Sequence, residues 1–481
     1  MSVETAAPAR RRTEQGRDQD SAPRTRGSRP AARHVARTRS GVAGLPDGAV
    51  RAAVRVGVLA GCAGVVAFWY AGARTGTGAG IVLTGAGELA GLLGSFLVCV
   101  LLVLIARVPG IERAFGMDRL VGWHRSLGTA TVLLVLTHVV LMIVGSAALE
   151  STTAWAQIPR LLATQPELLE ALIGTCLFFA AGLTSVRLIR RFLTYEVWLA
   201  VHLTLYLGIY LAFGHQVLGG SHLAGLPVAQ AAWILLYAAA GAALLTWRVA
   251  LPLWRLSRHV FQVDAVHAAS PTATSVWLRG KHLEELDVRG GQFFLVRFLT
   301  RGHLWSAHPY SVSSLPNEGR LRFTVGALGD HSSAAGALRP GVRVLLEGPF
   351  GRFTASAVTS RRTLLVAGGA GIGPIRSLAE ELVLHGRDVV VVHRASDPEE
   401  LALGEELAAG LGPRYIPLTG RRAELGYDPV APDRLRDAVP DASRREVFVC
   451  GPAGLVDAVV RSSRELGVPR SAVHHEELSL S

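Results

Sequence analysis

Two apolar stretches of the chain each carry two histidines, and these four residues offer the clearest chemistry in the sequence. His124 and His138 are 14 residues apart in the first stretch, and His202 and His215 are 13 residues apart in the second. At about 1.5 Å of rise per residue, each spacing separates two imidazoles by roughly 20 Å along a helix. Ionisable side chains are costly inside a membrane, and neutral imidazole is a good metal ligand. The pattern predicts two haems stacked across a bilayer, each held by one histidine from each helix.

The two spacings differ in how well they fit one face of a helix. At about 100° per residue, a step of 14 residues returns to within about 40° of its starting direction, whereas a step of 13 residues does not. We therefore expect the second helix either to distort, for which Gly208 and Gly214 offer places, or to present its histidines from different faces. A single membrane histidine is commonly a satisfied interior residue, but two matched pairs favour metal ligation.

Apolar residues make up half of the 481-residue chain and concentrate between residues 50 and 252. Six segments there are predicted to cross a bilayer: about 52–72, 84–106, 121–145, 168–188, 196–218 and 228–250. Arginines cluster in alternate connecting loops, which predicts a multi-pass plasma-membrane protein with both termini in the cytoplasm. Spans three and five then both run outwards. This pairs His124 with His202 near the inner face and His138 with His215 near the outer face.

The formal net charge of +12 comes largely from an arginine-rich tail, residues 1–48, and from these short loops. That distribution argues against a nucleic-acid partner. We predict a disordered tail that either touches anionic lipid headgroups of the bilayer or serves only as a topology signal. The four cysteines are scattered, with Cys62, Cys99 and Cys176 in membrane segments, which argues against a disulfide framework.

Two soluble domains are predicted after the six-helix bundle, which spans residues 49–252. Residues 253–357 contain short strands separated by turn residues, a pattern typical of a small antiparallel β-barrel. Residues 358–481 alternate strands with helices, which predicts an α/β domain with a parallel sheet and ligands at the carboxyl ends of its strands. The predicted fold class is a multi-domain membrane protein with an all-α bundle, a β-barrel and an α/β domain.

A glycine-rich loop follows the first strand of the α/β domain and opens a helix. It contains Gly369, Gly371 and Gly373, with Pro374 where the full G-x-G-x-x-G pattern has glycine. Glycines there let the backbone approach a pyrophosphate, whose charge is met by the helix N-terminus. The next strand ends at Arg394 with no acid at its tip, which favours the 2′-phosphate of NADPH over the free ribose of NADH. An exposed arginine without a ligand is the plain alternative.

Two segments of the barrel region can hold a flavin. The first places an aromatic ring and hydroxyls on one extended strand, where they suit the face and edge of an isoalloxazine ring. Its residues are His308, Pro309, Tyr310 and Ser311. The second precedes a short alanine-rich helix and can hold a pyrophosphate. Its residues include Gly329, Ser332 and Ser333. By residue type alone, both segments also fit an ordinary strand and turn.

Five features in one order resemble a known family. They are the paired histidines of spans three and five, the strand 308–311, Gly348-Pro349-Phe350-Gly351, the loop 368–374 and Cys450-Gly451-Pro452. Over about residues 50–481 the chain resembles the ferric reductase and NADPH oxidase superfamily. The soluble half alone is similar to ferredoxin–NADP reductases.

The resemblance implies roles for these residues. FAD lies between the barrel and the α/β domain, and the strand 308–311 contacts the flavin. Gly348 joins the cofactor-binding set through its motif. The loop with Gly451 and Pro452 lies beside the nicotinamide, and Cys450 positions that ring for hydride transfer without acting as a nucleophile. The four histidines hold two b-type haems.

Two departures from the family pattern affect the functional prediction. Family members usually end in an aromatic residue that covers the flavin, whereas this chain ends with residues 476–481, which contain no aromatic residue. Superoxide-forming relatives carry an arginine in the outer half of span two. Here Glu88 lies in that half, and the next arginine is Arg107 at the inner end. The second departure weakens an oxygen-reducing function.

The residues and the resemblance together predict a transmembrane electron-transfer enzyme. NADPH or NADH gives a hydride to FAD on the cytoplasmic side, and electrons pass through the inner and outer haems to a small acceptor outside. Ferric iron or a ferric chelate is the favoured acceptor. Three alternatives stay open: a superoxide-producing oxidase that uses oxygen, a relay subunit for a partner redox protein, and a flavin reductase that six spans merely anchor.

Overall fold

The chain begins with a bundle of long helices and ends with two domains built on β-sheets. The computed structural model describes residues 46–73, 75–300, 307–326 and 334–477. The predicted flavin residues Gly329, Ser332 and Ser333 lie outside these ranges, as does nearly all of the predicted basic tail.

Six helical segments in the described part of the chain are long and apolar enough to cross a membrane, which confirms the predicted architecture. They are α1 (Asp47–Gly72), α2 (Ala79–Ile105), α4 (Met117–Leu149), α6 (Glu167–Ser185), α8 (Tyr195–Leu218) and a last span that begins with α9 (Pro227–Leu245). Three shorter helices connect them: α3 (Pro109–Phe115), α5 (Ala154–Thr164) and α7 (Arg187–Arg190). Because a helix satisfies its own backbone hydrogen bonds, these segments can expose apolar side chains to lipid.

The last span continues beyond residue 252, where the sequence places the domain boundary. After α9 the helix passes through a π-helical turn, Thr246–Ala250, into α10 (Leu251–His259). The wider turn changes which face of the following helix points towards a neighbour. Arg248 in this turn and Arg255 in α10 both contact the barrel.

Small residues let the histidine-bearing helices approach their neighbours closely. A Cβ at Gly91 on α2 would lie 2.6 Å from Nδ1 of His138 on α4. A Cβ at Gly174 on α6 would lie 2.7 Å from the carbonyl oxygen of Gly208 on α8. Small residues are a usual means of close helix packing in membranes. In this way α2 packs directly on α4, and α6 packs directly on α8.

The second histidine-bearing helix does not distort at the glycines that the sequence offers for this purpose. α8 is one unbroken α-helix that includes both Gly208 and Gly214. It therefore presents His202 and His215 from different faces, which is the other arrangement that the spacing allows. The physical role of Gly208 is close packing against α6.

The first soluble domain consists of two antiparallel sheets of three strands each, as expected for a small barrel. One sheet has the order β1-β2-β5, with β1 (Gln262–Ser270), β2 (Ala273–Arg279) and β5 (Arg320–Gly326). The other has the order β4-β3-β6, with β3 (Phe293–Phe298), β4 (His308–Ser311) and β6 (Val344–Phe350). Alternate side chains point inwards and build a shared core that includes Leu278, Phe294, Leu321 and Phe323.

The second soluble domain has a five-stranded parallel sheet flanked by helices, as predicted. The strand order is β11-β10-β7-β8-β9. The strands are β7 (Arg362–Gly368), β8 (Asp388–Arg394), β9 (Tyr415–Leu418), β10 (Glu446–Gly451) and β11 (Val473–Glu477). The helices are α11 (Ile372–Leu384), α12 (Gly404–Leu411), α13 (Arg422–Leu425), α14 (Pro432–Ala438) and α15 (Ala453–Glu465). The sequences of strands β7, β8 and β10 are nearly continuous apolar runs, because helices cover both faces of the sheet.

Candidate electron-transfer site

The four histidines form two ring pairs between α4 and α8. The ring centres of His124 and His202 lie 6.2 Å apart, and those of His138 and His215 lie 6.3 Å apart. We call His124–His202 the near pair because α4 begins at the soluble domains, and His138–His215 the far pair. The partners in each pair are the ones that the topology argument selects.

The ring separations suit one metal ion between the members of each pair. A metal–imidazole bond is about 2 Å long, so two such bonds plus the step from each nitrogen to its ring centre give about 6 Å. Nδ1 of His124, His202 and His215 is buried and makes no hydrogen bond within the described ranges. Nδ1 of His138 donates to the carbonyl oxygen of Gly87 at 2.9 Å, which leaves Nε2 for a metal. The residues present therefore fit two bis-histidine haem sites.

Gly91 gives a direct test of the far pair. Because a Cβ at this position would lie 2.6 Å from Nδ1 of His138, we expect Gly91→Ala to displace the imidazole. The haem-to-protein ratio, measured by pyridine haemochrome absorbance, should fall from two to one. Gly241→Ala on α9 is the matched control, since its Cβ would meet no atom within 4 Å. An unchanged ratio in Gly91→Ala would contradict the assignment of His138.

The predicted flavin strand, β4, and the Gly-Pro-Phe-Gly turn at the end of β6 belong to the same three-stranded sheet. β3 separates them, because Phe293 pairs with Ser311 of β4 on one side and with Phe350 of β6 on the other. Burial raises the pKa of Tyr310 to about 12, so its hydroxyl remains a hydrogen-bond donor at neutral pH. The sheet thus brings the aromatic and hydroxyl residues of β4 next to the Gly348 motif.

The glycine-rich loop and Cys450 meet at the carboxyl ends of two neighbouring strands. β7 pairs with β10, which places Cys450 opposite Ala367. A Cβ at Gly371 would overlap the carbonyl oxygen of Cys450, so only glycine permits this approach. Gly369 has a φ of +53°, a conformation that glycine adopts without strain. The N-terminus of α11 opens at the same edge, where a pyrophosphate is favoured.

The flavin strand and the glycine-rich loop are neighbours across the interface between the soluble domains. A Cβ at Gly373 would lie 3.8 Å from the carbonyl oxygen of Ser311. The Ser377 hydroxyl donates to the Val312 carbonyl oxygen at 2.7 Å. These contacts bring the strand predicted for the flavin and the loop predicted for the nucleotide together at one interface.

Glu476 is a site residue that the sequence analysis missed. It lies on β11 directly opposite Cys450 of β10. Burial raises the pKa of the Cys450 thiol, which suits a positioning role and not that of a nucleophile. Burial also raises the pKa of Glu476 to about 8, with a smaller effect from Asp118 at the start of α4. The sequence of this strand, with one apolar residue followed by four polar ones, carries no alternation that would have marked it.

The raised pKa of Glu476 predicts a pH-dependent stability. Its folded pKa lies above the ordinary value of 4.5, so the folded state holds a proton that the unfolded chain releases between about pH 4.5 and 8. The stabilising contribution is therefore full below that window and is lost as pH rises through about 8. We expect Glu476→Gln to raise the Tm at pH 8.5 by more than at pH 5.5, measured by intrinsic fluorescence during heating. Exposed Glu465→Gln is the control, and an equal change at both pH values would argue against a buried, protonated Glu476.

Arg394 is held differently from what the sequence suggests for a 2′-phosphate ligand. Its guanidinium donates to the carbonyl oxygens of Ala395, Leu418 and Gly420. Arg421 and Arg422 follow β9 and lie near the same edge, where they pair with Asp397 at 3.4 Å and with Asp428 at 2.9 Å. The basic group at this edge is therefore a cluster of three arginines, of which Arg421, with 63% of its side chain exposed, is the most accessible.

The helix bundle holds the barrel through an ion cluster centred on Glu347 of β6. The Glu347 side chain, which is 11% exposed, pairs with Arg107 after α2 and with Arg248 of the π turn, the latter at 3.2 Å. Arg255 of α10 donates to the carbonyl oxygen of Gly348. Burial lowers the pKa of Arg107 to about 10, so it stays charged at neutral pH. We call Arg107, Arg248 and Glu347 the Glu347 clasp, which the sequence analysis did not single out.

Two backbone contacts extend the clasp along the connection between α2 and α4. The Gly351 amide donates to the carboxylate of Glu112 at 3.2 Å, and Arg352 donates to the Ala114 carbonyl oxygen at 2.9 Å. A cavity of about 500 Å³ lies at this junction, and Gly348 is among its lining residues. The flavin-side motif is thus fixed against the membrane bundle.

One helix links this motif to the near pair. Met117, the first residue of α4, packs with Phe293 and Phe350 in a small apolar cluster. His124 follows seven residues later on the same helix, a distance of about 10 Å. The Trp123 ring, beside His124 in sequence, packs edge-on against Phe115 at 4.8 Å. The Gly-Pro-Phe-Gly motif of the barrel and the near pair are therefore linked through the first two turns of α4.

The fold and the site together define a membrane bundle with paired histidines joined to a flavin- and nucleotide-type module. Residues 90–213 match the family described as ferric reductase like transmembrane component. Over these residues the chain is similar to that family, in agreement with the sequence resemblance for the membrane bundle.

Similar proteins cover parts of the chain. An NADPH oxidoreductase from Mycobacterium tuberculosis is 27% identical over 223 residues, which are 44% of this chain and 57% of that protein. Flavohemoprotein A from Dictyostelium discoideum is 26% identical over 183 residues, or 35% of this chain and 45% of that protein. The chain therefore spans about half the length of these curated relatives. A ferredoxin NADP⁺ reductase structure from Neisseria gonorrhoeae, with bound FAD and NADP, aligns with a TM-score of 0.39 at 20% identity over 46% of this chain and 99% of that one.

Proposed function

We propose that this chain is a transmembrane oxidoreductase that moves electrons from NADPH or NADH through FAD and two b-type haems to an acceptor on the far side. The observation that carries the proposal is the continuous arrangement from the nucleotide loop to the far pair. Cys450 lies beside the glycine-rich loop, and Gly373 at the end of that loop lies next to Ser311 of β4. The clasp fixes β6 to the bundle, and α4 runs from that junction past both histidine pairs.

The residues of the chain have distinct tasks in this function. Bound FAD supplies the conversion of a two-electron hydride into single electrons. The α11 N-terminus and its glycines receive the nucleotide pyrophosphate, and Cys450 with Glu476 lies where the nicotinamide would be positioned. The neutral imidazoles of the near and far pairs would hold the haem irons.

Orientation follows from the arginines of the connecting segments. Those on the side of the soluble domains include Arg107, Arg113, Arg119 and Arg187. The described segments on the opposite side carry Arg160 as their single arginine. Since positively charged loops stay in the cytoplasm, we place both termini and the soluble domains there, in the plasma membrane.

Ferric iron, free or chelated, is the acceptor that we propose. The ferric reductase-like match, residues 90–213, includes His124, His138 and His202 and ends two residues before His215. The half of α2 next to the far pair carries Glu88 in place of the arginine found in superoxide-forming relatives. A carboxylate beside the exit favours a metal cation over the superoxide anion as the species handled there.

Anaerobic stopped-flow absorbance of the purified protein tests the whole path. NADPH, and in a second series NADH, should first bleach the flavin band and then reduce low-spin haem bands. Ferric citrate added next should reoxidise those bands within the mixing experiment. Flavin reduction without haem bands would contradict the proposal. It would favour the alternative in which the six spans merely anchor a flavin reductase. Reoxidation of the haem bands by oxygen but not by ferric citrate would instead favour a superoxide-producing oxidase.

A further inference from the structure

Three side chains in contact join the near pair to the arginine-rich segment between α6 and α8. The His202 ring lies against the ring of Trp198, four residues earlier on α8, with ring centres 5.1 Å apart and planes inclined by 23°. The guanidinium carbon of Arg190, the last residue of α7, lies over the same indole at 4.9 Å from its centre. We call Arg190, Trp198 and His202 the Arg190 stack.

The indole in the middle of the stack is held by further neighbours. Its Nε1 donates to the hydroxyl of Ser185, the last residue of α6, at 3.2 Å. The Tyr195 ring packs against it with ring centres 5.9 Å apart. Because residues four apart lie on one face of an α-helix, α8 itself sets Trp198 against His202. The indole is therefore a fixed surface for the imidazole.

His202 needs such a surface if it is to hold a metal in one orientation. A metal-ligating histidine is usually oriented by a hydrogen bond from its second ring nitrogen. Nδ1 of His202 is buried and has no hydrogen-bond partner within the described ranges. The contact with Trp198 can supply the orientation that this missing hydrogen bond would give.

Arg190 adds a positive charge to the stack. Its half-buried side chain donates to the carbonyl oxygen of Leu193 at 3.0 Å and forms no ion pair with a described residue. An arginine keeps its charge at all physiological pH values. The guanidinium carbon is no more than about 10 Å from the centre of the His202 ring. At the edge of a membrane, solvent screens a charge at that distance only in part.

The far pair has the opposite surroundings. Nδ1 of His138 donates to the Gly87 carbonyl oxygen at 2.9 Å, which makes this imidazole a more basic ligand. A Cβ at Gly214, the residue before His215, would lie 3.9 Å from a carboxylate oxygen of Glu170. A basic ligand and a nearby negative charge both favour ferric over ferrous iron. The two pairs should therefore differ in reduction potential.

We propose that Trp198 is a positioning residue for His202 and that, with Arg190 on its ring, it sets the reduction potential of the near haem above that of the far haem. This inference rests on the proposed function, because it concerns the haem that the near pair would hold. One electron leaves the reduced flavin and converts the near-pair iron from ferric to ferrous. The ferrous state carries one positive charge less, so the charge of Arg190 stabilises it. The near haem thus accepts electrons readily, and the far haem is the stronger reductant towards the acceptor.

A spectroelectrochemical titration of the full-length protein in nanodiscs of phosphatidylcholine tests the two potentials. His138→Ala, which should keep only the near haem, identifies the step that belongs to the near pair. We expect Arg190→Gln and Trp198→Ala each to lower the near potential by about tenfold in the equilibrium constant, or about 59 mV. A unit charge at about 10 Å and an effective dielectric constant of about 20 has an effect of that size.

Arg191→Gln is the matched control for this titration. Arg191 is the next residue in the chain and also lies over an aromatic ring, that of Phe192 at 4.6 Å, so its loss should leave both potentials unchanged. A near potential below the far potential in wild type would overturn the proposal. A shift in Arg190→Gln but not in Trp198→Ala would also overturn it, since Arg190 would then act directly on a haem propionate.

A second measurement tests the orientation of His202. The EPR signal of a ferric haem with two imidazole ligands depends on the angle between the ring planes, which is 72° in the near pair and 29° in the far pair. Trp198→Ala should change the near-haem signal, whereas Trp198→Phe, which keeps a ring against His202, should retain it. An unchanged signal in Trp198→Ala would contradict the positioning role. Absence of haem from wild type would instead count against the proposed function, while two bound haems that respond to neither Trp198 nor Arg190 would count against this inference alone.

Discussion

Alanine at His124 or at His202 is expected to remove the same haem and to leave one haem in the protein. The rings of the near pair are 6.2 Å apart and share one metal position, so loss of either ligand opens that position. Alanine at His138 or His215 should remove the other haem for the same reason. In every case NADPH should still reduce the flavin, while electron transfer to an external acceptor stops.

Double variants make this test specific for the pairing. His124→Ala with His202→Ala should retain one haem, whereas His124→Ala with His215→Ala should retain none. Haem-to-protein ratios from pyridine haemochrome absorbance distinguish these outcomes. His267→Ala, an exposed histidine on β1, is the control and should keep both haems. Two haems lost in the first double variant, or one retained in the second, would show that the pairs are wrongly assigned.

Glu347→Gln is expected to slow electron transfer from the flavin to the near pair at least about tenfold. The substitution leaves the positive charges of Arg107 and Arg248 without their carboxylate, and breaking a buried pair in this way costs about 3 kcal/mol or more. The barrel then loses its fixed position on the bundle, so a flavin bound there would no longer be held close to the near pair. Flavin reduction by NADPH should keep its wild-type rate, since Cys450 and the glycine-rich loop are untouched.

The two phases of an anaerobic stopped-flow trace separate these rates. Glu285→Gln is the matched control, because Glu285 also joins the barrel to α10, through Arg258 at 2.5 Å, but does so in an exposed pair. Exposed pairs contribute little, so this variant should behave as wild type. Equal slowing of flavin reduction and haem reduction in Glu347→Gln would point to general damage and against a positioning role.

The sequence by itself determined the architecture and predicted the candidate site residues. Apolar runs of membrane length, the change from helical to strand periodicity after residue 252, and the glycine-rich loop are local signals. Each of these signals lies in consecutive residues, so it predicts secondary structure without any knowledge of long-range contacts. The four histidines belong to this group, because the positive-inside rule converts their positions into two predicted pairs without any contact information.

Only the tertiary structure decided how these parts touch. Glu347 meets Arg107 across 240 positions, Glu476 faces Cys450 because β11 adds to β10, and Glu88 meets His222 across 134 positions. Such contacts depend on how helices cross and how loops pack, and no local pattern encodes them. The same holds for Arg394, which the sequence offers as a 2′-phosphate ligand but whose guanidinium donates to the carbonyl oxygens of Ala395, Leu418 and Gly420. Packing determines which polar groups become long-range partners. A buried charge is costly without a partner, so it pairs with a polar group that the fold brings within hydrogen-bond distance.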